Sequence, residues 1–345
     1  MKAAMFYGPG DLRIQDVPAQ EAGPGELLVD VKAAATCGTD LKSYRRGHPK
    51  LFPVLPSRFG HEFSGVVSGV GDGVTDFAVG DRVVAANTAP CGHCWACTRG
   101  RESLCENLEF LNGAFAEQVV IPASIVGRNT YRLPDGLEFA AAAPLEPLAT
   151  VVHGMAETGI QLSDTVVVHG AGPIGLMFVR LATLRGANVI SVDQSPWRLQ
   201  EAARAGAVDT VDISEVSGPE ERVALIKKRT PAGRGADVCI EAVGLPAVWE
   251  QAVRTLRPGG TAVLFGGTPK RAPFAVDSSA MHYEEYTLKG VFHHTPDYVR
   301  TAVELLSSKK VDGLSLITEV RSLDQLVPSL EDMAAGRGSK YVVQP

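Results

Sequence analysis

The segment Gly170-Ala171-Gly172-Pro173-Ile174-Gly175 constrains the fold more than any other, because of what surrounds it. The apolar run Val166-Val-Val168 precedes it directly, and an apolar helical pattern follows over 173–185. A Gly-x-Gly-x-x-Gly between strand and helix allows a tight turn at the first glycine. It also allows close approach to a pyrophosphate at the second and close helix-to-sheet packing at the third. The helix N-terminus then offers its positive end to phosphate, and Pro173 suits its first turn. Further apolar strands are expected at 188–192, 208–211, 237–240 and 261–265. Helices are expected at 197–205, 220–228 and 247–256, and such alternation predicts a doubly wound parallel sheet. Asp193 stands 18 residues past Gly175, where an acid can bond the ribose hydroxyls of NAD and repel the 2′-phosphate of NADP. The plainer role is a strand-end cap over 195–198. Arg198 fits either an adenine-edge contact or a phosphate contact.

The first third reads differently. Short β-type runs (27–31, 63–70, 80–84) are separated by Gly and Pro turns, and an alanine-rich helical connector is expected over 137–149. Within this part lie Cys91, Cys94, Cys97 and Cys105, four thiols in fifteen residues. That spacing can fold four sulfurs into one tetrahedron, as a closed structural Zn2+ site needs. Disulfides are the competing reading, disfavoured because neighbours three apart rarely bridge well and nothing else in the chain looks secreted. His93, inside the lobe, is then a solvated loop residue. Cys239, in the apolar run 236–240, reads as a buried strand residue. After 288 a strand to 292, helices at 297–307 and 323–335, and a last strand at 340–343 are expected. That last strand would return to the first domain.

Composition narrows the partners. The net charge is −6 over 345 residues, 21% charged and 45% hydrophobic. No basic stripe argues for nucleic acid or an anionic membrane surface. Neither a signal-peptide pattern nor an apolar run of membrane-spanning length is legible, so a cytoplasmic protein is expected.

Chemistry needs an open site besides the closed one. Cys37-Gly38-Thr39-Asp40, Gly60-His61-Glu62 and Glu146-Pro147 offer a thiolate, an imidazole and carboxylates. Three such ligands leave a position for water or substrate, as catalytic zinc requires. Taken with the cysteine lobe and Gly170–Gly175, in this order along the chain, these motifs resemble the zinc-dependent medium-chain alcohol dehydrogenases from end to end. The resemblance implies a GroES-like β-rich catalytic domain, residues 1–150 and 291–345, with the structural lobe at about 90–106. A Rossmann domain over 151–290 would be inserted in it. It implies two Zn2+ per chain and NAD. Cys37 and His61 would hold the catalytic zinc, with Glu62 and Glu146 as alternating carboxylate ligands. Thr39 would relay the substrate proton, and Thr150 would lie against the nicotinamide. Glu146 matches the polyol and threonine dehydrogenase branch, where simple-alcohol enzymes carry Cys.

One departure is Lys42, where many relatives have a proton-relaying histidine; His48 stands nearby in sequence. The expected reaction is hydride transfer between a secondary alcohol and NAD, with a sugar alcohol or cyclitol preferred over L-threonine or a simple alcohol. Lys42, Tyr44, Arg45 and Arg58 could bond additional hydroxyls. His282, His293 and His294 receive no role. A non-catalytic NAD-binding relative would be expected to lack a zinc ligand, and none is missing. A strand at 287–292 pairing edge to edge would give a homodimer or homotetramer.

Overall fold

The computed structural model describes residues 1–49 and 51–345. The chain divides into two compact units, residues 1–149 with 294–345, and residues 150–293.

The first unit is built on strands Leu27–Ala35 and Glu62–Val70, which pair antiparallel. Around them a seven-stranded sheet runs in the order 130–132, 82–85, 62–70, 27–35, 341–344, 319–322, and strand 118–121 also pairs with 27–35. The register explains why the end of the chain matters. Ala35 is the partner of Glu62 on one side and of Val342 on the other. The C-terminal strand Tyr341–Gln344 therefore lies beside the residues that lead into Cys37. Under the sheet, Phe6, Phe52, Phe59 and Phe115 form a buried aromatic chain, with successive centroids 5.0, 5.3 and 6.1 Å apart. Gly60 has φ +95°, and a Cβ there would lie 2.4 Å from the Phe115 ring, so only glycine fits before His61.

This unit is less purely β than its sequence suggests. Helix Gly38–Arg46 was not expected; it begins at the polar tetrad itself, with Cys37 as its N-cap. The connector forms two helices, Phe139–Ala142 and Leu145–Ala156. Strand Glu319–Ser322 was also missed. It is a largely exposed edge strand, so it shows no apolar alternation to read.

The second unit is a six-stranded parallel sheet in the order 209–212, 188–193, 165–169, 236–241, 256–264, 287–290. This is the doubly wound dinucleotide-binding order. Helices Pro173–Leu184, Pro196–Ala205, Pro219–Lys228 and Pro246–Arg254 connect the first five strands. Each of the four opens on proline, which suits a position whose N–H has no intrahelical partner. Cys239 is fully buried in strand Ala236–Glu241.

One helix ends two residues early, and the strand expected from 261 begins at Leu256. The helix expected to reach Leu256 stops at Arg254, where Thr255 Oγ1 bonds back to Gln251 O at 2.7 Å. Leu256 already pairs with Ala236, and the register then jumps to Val238 with Thr261. Pro258, Gly259 and Gly260 lie inside one strand, Leu256–Leu264, at this irregularity. The last strand of the sheet is Thr287–Gly290, so Phe292 and His293, at φ +62°, lie beyond it. Among the described residues no helix is long and apolar enough to cross a membrane.

Candidate active site and metal centres

In the cysteine lobe, one ligand atom from each of Cys91, Cys94, Cys97 and Cys105 lies within 4.8 Å of the others. All four are free thiols. Cys94 and Cys105 sulfurs are 3.9 Å apart, and tetrahedral zinc with thiolate bonds of about 2.3 Å places its sulfurs about 3.8 Å apart. The backbone supports the sulfurs. Cys91 N donates to Cys105 Sγ, Cys94 N to Cys91 Sγ and Asn107 N to Cys105 Sγ, each at 3.3 Å. The N–H of His93, followed by others, draws the Cys91 thiol down to about 6, while burial pushes Cys97 up to about 12. Four such groups become thiolates together only around a cation, so the donor set fits Zn2+. The His93 side chain is exposed, with Nδ1 3.0 Å from Cys91 O, outside the quartet.

The second cluster sits where helix Gly38–Arg46 begins. Cys37 Sγ accepts from Thr39 N at 3.2 Å, and the Asp40 carboxylate accepts from Cys37 N at 2.9 Å. This reciprocal cap fixes the thiol. His61 enters from the head of strand Glu62–Val70, with Nε2 3.3 Å from Cys37 Sγ and Nδ1 3.2 Å from Asp40 Oδ1. With Nδ1–H donating to Asp40, the Nε2 lone pair faces the sulfur. That is the carboxylate–histidine arrangement of metal sites. Zinc bonds of about 2.3 Å to sulfur and 2.0–2.1 Å to nitrogen put the two atoms about 3.6 Å apart, so the observed separation fits an ion between them. Burial lifts the Cys37 thiol, helped by the nearby Asp40 charge. Burial pulls His61 down, yet Cys37 and Asp40 together hold it well above its ordinary value.

Glu62 completes a set with Cys37 and His61, all within 4.8 Å. It is almost wholly buried and ion-paired with Lys340, itself 2% exposed, whose Nζ also donates to Thr36 O at 2.8 Å. Burial raises Glu62 to about 7 against the pull of Lys340. Its other oxygen, Oε1, is buried without a hydrogen-bond partner. Glu146 lies in the first turn of Leu145–Ala156, half-buried and outside that set. Burial raises its carboxyl, opposed by the charges of His61 and Lys340. Thr39 is exposed beside Cys37, and Thr150 follows Glu146 by one helical turn.

Asp40, Thr36 and Lys340 carried no assigned role in the sequence. Asp40 was legible as the acid closing Cys-Gly-Thr-Asp. Lys340 carried no signal, because only the sheet register brings it to Glu62. Lys42 is exposed, and His48 Nδ1 accepts from Leu51 N at 3.2 Å, a turn-closing bond. His294 is 3% exposed with Nε2 3.4 Å from Thr88 Oγ1, while His153 Nδ1 lies 2.7 Å from His293 O. His282 packs edge-on against Tyr283.

In the second unit each glycine of the turn shows its reason. Gly170 adopts φ +96°. A Cβ on Gly175 would lie 1.8 Å from Gly170 O, and one on Gly172 would meet nothing within 4 Å. Gly172 thus leaves an open approach at the N-terminus of Pro173–Leu184, where no side chain caps the helix and Pro173 and Ile174 are half-buried. This cradle fits a dinucleotide pyrophosphate. Asp193 ends its strand, 9% exposed, and accepts from Ala171 N at 2.7 Å and Ser195 N at 2.9 Å. It therefore ties the glycine turn to the second strand and closes a turn onto Ser195, while helix Pro196–Ala205 has no side-chain cap bond. Each carboxylate oxygen keeps a lone pair for a hydroxyl. Arg198 lies over Trp197, 5.4 Å from the ring centroid, with Nε buried and without a partner.

Comparison with known proteins agrees with this construction. Residues 23–135 match the alcohol dehydrogenase GroES-like domain, and residues 173–308 match the zinc-binding dehydrogenase family. Sorbitol dehydrogenase of Bacillus subtilis is 34% identical over 96% of this chain and 93% of its own length. L-threonine 3-dehydrogenase of Alteromonas mediterranea is 31% identical over 96% of this chain and 95% of its own. A zinc-binding dehydrogenase structure from Sinorhizobium meliloti, bound to NADP, superposes with TM-score 0.91 at 32% identity, over 100% of this chain and 99% of that one. The chain belongs to the zinc-dependent medium-chain alcohol dehydrogenase family. It is an oxidoreductase that uses zinc and a nicotinamide cofactor to transfer hydride to or from an alcohol carbon.

Proposed function

We propose that the protein is an NAD-dependent polyol dehydrogenase. The observation that carries this reading is the Cys37–His61–Asp40 constellation, which offers one thiolate and one oriented imidazole beside two carboxylates. Cys37 and His61 hold the catalytic zinc. Glu62 lies with Cys37 and His61 and keeps Oε1 free while its other oxygen holds Lys340, so it can ligate without giving up that partner; Glu62 and Glu146 are the two carboxylates that alternate as the third ligand. Zinc at this place supplies Lewis acidity toward a hydroxyl oxygen. Asp40 keeps His61 in the tautomer that presents Nε2. Thr39, exposed beside the sulfur, takes the hydroxyl proton. Thr150 lines the nicotinamide side. Cys91, Cys94, Cys97 and Cys105 hold the structural zinc.

Asp193 supports NAD, because a buried acid facing the 2′-position repels phosphate; the NADP in the Sinorhizobium meliloti relative makes this worth direct measurement. The polyol preference is supported by the Bacillus subtilis relative and by a sphere with one thiolate. L-threonine is the second candidate, supported by the Alteromonas relative. Six free cysteines suit a reducing cytoplasm. Strand Thr287–Gly290, at the edge of its sheet, with Phe292 61% and Tyr283 80% exposed, supports a homodimer or homotetramer. Light scattering that gives a monomer at micromolar concentration would refute the assembly.

The test of function is the initial rate of NAD reduction over sugar alcohols, cyclitols, L-threonine and simple secondary alcohols. Preference for a polyhydroxy compound is expected. Preference for threonine would replace the substrate, and silence throughout would overturn the reading.

A further inference from the structure

Of the polar side chains that sequence alone offered for extra hydroxyls, three have ordinary surroundings. Lys42 and Arg45 are exposed, and Tyr44 packs on the aromatic core. Arg58 differs. It is half-buried, its Nη1 is buried without a hydrogen-bond partner, and among the described residues no carboxylate pairs with it. Burial lowers its pKa with nothing opposing. A guanidinium nitrogen buried without a partner is costly, and folds seldom keep one for packing alone.

Its neighbour carries the complementary defect. The stem of Arg58 lies against Gly113, where a Cβ would meet Arg58 Cβ at 3.1 Å and Cδ at 3.2 Å, and Gly113 takes φ +115°. The preceding residue, Asn112, donates through Nδ2 to Leu51 O at 2.8 Å, which fixes the amide, and its Oδ1 is buried without a partner. One orphaned donor and one orphaned acceptor therefore belong to residues linked through Gly113, Arg58 by the packing of its stem and Asn112 by sequence. A phosphate or carboxylate would satisfy the first and be repelled by the second. A hydroxyl donates and accepts at once, and satisfies both.

The position suits a substrate. Gly113 N and Ala114 N both donate to Gly60 O, at 2.8 and 3.1 Å, which fastens this strip to the residue before His61. Arg58 precedes His61 by three residues, at most roughly 10 Å of extended chain.

We propose that Arg58 and Asn112 form a hydroxyl-binding subsite that selects polyols by a hydroxyl remote from the reacting carbon. The subsite rests on the polyol dehydrogenase reading above, and gives that reading a residue-level basis for choosing long polyols over short diols and over phosphorylated sugars.

The experiment measures kcat/KM of the zinc-loaded enzyme for sorbitol, xylitol and galactitol against 2,3-butanediol, in the native protein, Arg58→Met and Asn112→Leu. Methionine keeps an unbranched stem on Gly113, and the diol reports on the reaction centre without a remote hydroxyl. Each substitution is expected to lower the polyol-to-diol ratio by about 10- to 100-fold, the loss of a hydrogen bond involving a charged group or one left half-satisfied. The change should fall mainly on polyol KM. A ratio that stays constant while both rates fall, or no change at all, overturns the subsite in favour of a structural role. Native enzyme that prefers galactitol 1-phosphate to galactitol overturns the hydroxyl assignment. Turnover of butanediol but of no polyol overturns the subsite and leaves the dehydrogenase reaction standing. Turnover of nothing overturns the reaction reading itself, and the subsite with it.

Discussion

Removing Lys340 tests how the centre of the first unit is held together. Its ammonium and the Glu62 carboxylate are both almost fully buried, and the ammonium also satisfies Thr36 O. Burial already lifts Glu62 to about 7 with Lys340 present. In Lys340→Met the carboxylate loses the charge that opposes burial and keeps its desolvation cost. Breaking a buried pair from one side costs about 3–5 kcal/mol, whereas replacing both members with apolar groups of similar size is often neutral. For a unit of about 200 residues, 1 kcal/mol corresponds to about 2–4 °C in Tm. Lys340→Met should therefore lower the melting temperature of this unit by about 6–20 °C. Lys340→Met with Glu62→Leu should regain most of that loss. Scanning calorimetry at fixed zinc concentration reads both. A shift under about 2 °C in the single variant, or a double variant no more stable than the single one, would refute the argument that mutual neutralisation holds this pair in the fold.

Three other expectations follow from the same geometry. Metal analysis should find two zinc ions per native chain; Cys37→Ser and His61→Ala should each retain one, abolish turnover and keep a native circular dichroism spectrum, whereas Cys97→Ser should lose the other zinc together with thermal stability. Asp193→Asn, which keeps one acceptor oxygen for Ala171 N but gives up the acceptor for Ser195 N and the charge, should lower the NAD-to-NADP ratio of kcat/KM by about 10-fold or more; an unchanged ratio would assign Asp193 to loop architecture alone. His169, 1% exposed with its pKa lowered by burial from 6.5 to about 4, binds protons more readily unfolded than folded. Its contribution is present above pH 6.5 and is lost as pH falls toward 4, up to about 3 kcal/mol. The second unit of His169→Gln should lose less stability between pH 6.5 and 4.5 than the native protein does, and parallel profiles would sink this account.

How much of this was legible in the sequence depended on whether the information was local. The cysteine lobe, the glycine turn and the strand–helix alternation were readable because each is set by neighbours within a few residues. A sulfur tetrahedron closes inside fifteen residues, a left-handed φ demands glycine, and a parallel strand buried on both faces must be apolar. Even the missed helix Gly38–Arg46 had a local sign, since an acid three residues after Cys37 makes a capping box. Its role toward His61 had none, because 21 residues separate the two.

Tertiary structure decided what pairing across the sheet decides. Ala35 lies between Glu62 and Val342, and for that reason a lysine five residues from the C-terminal residue becomes the counter-ion of a carboxylate at the site. Arg58 and Lys42 are equally polar in sequence, yet one is left with a buried unpaired donor and the other is solvated. Hydrophobic pattern and turn chemistry act over a few residues and are written along the chain. Desolvation and charge pairing depend on what the rest of the chain brings alongside, so the chemistry of Glu62, Lys340, Arg58 and Asn112 exists only once the sheet has formed.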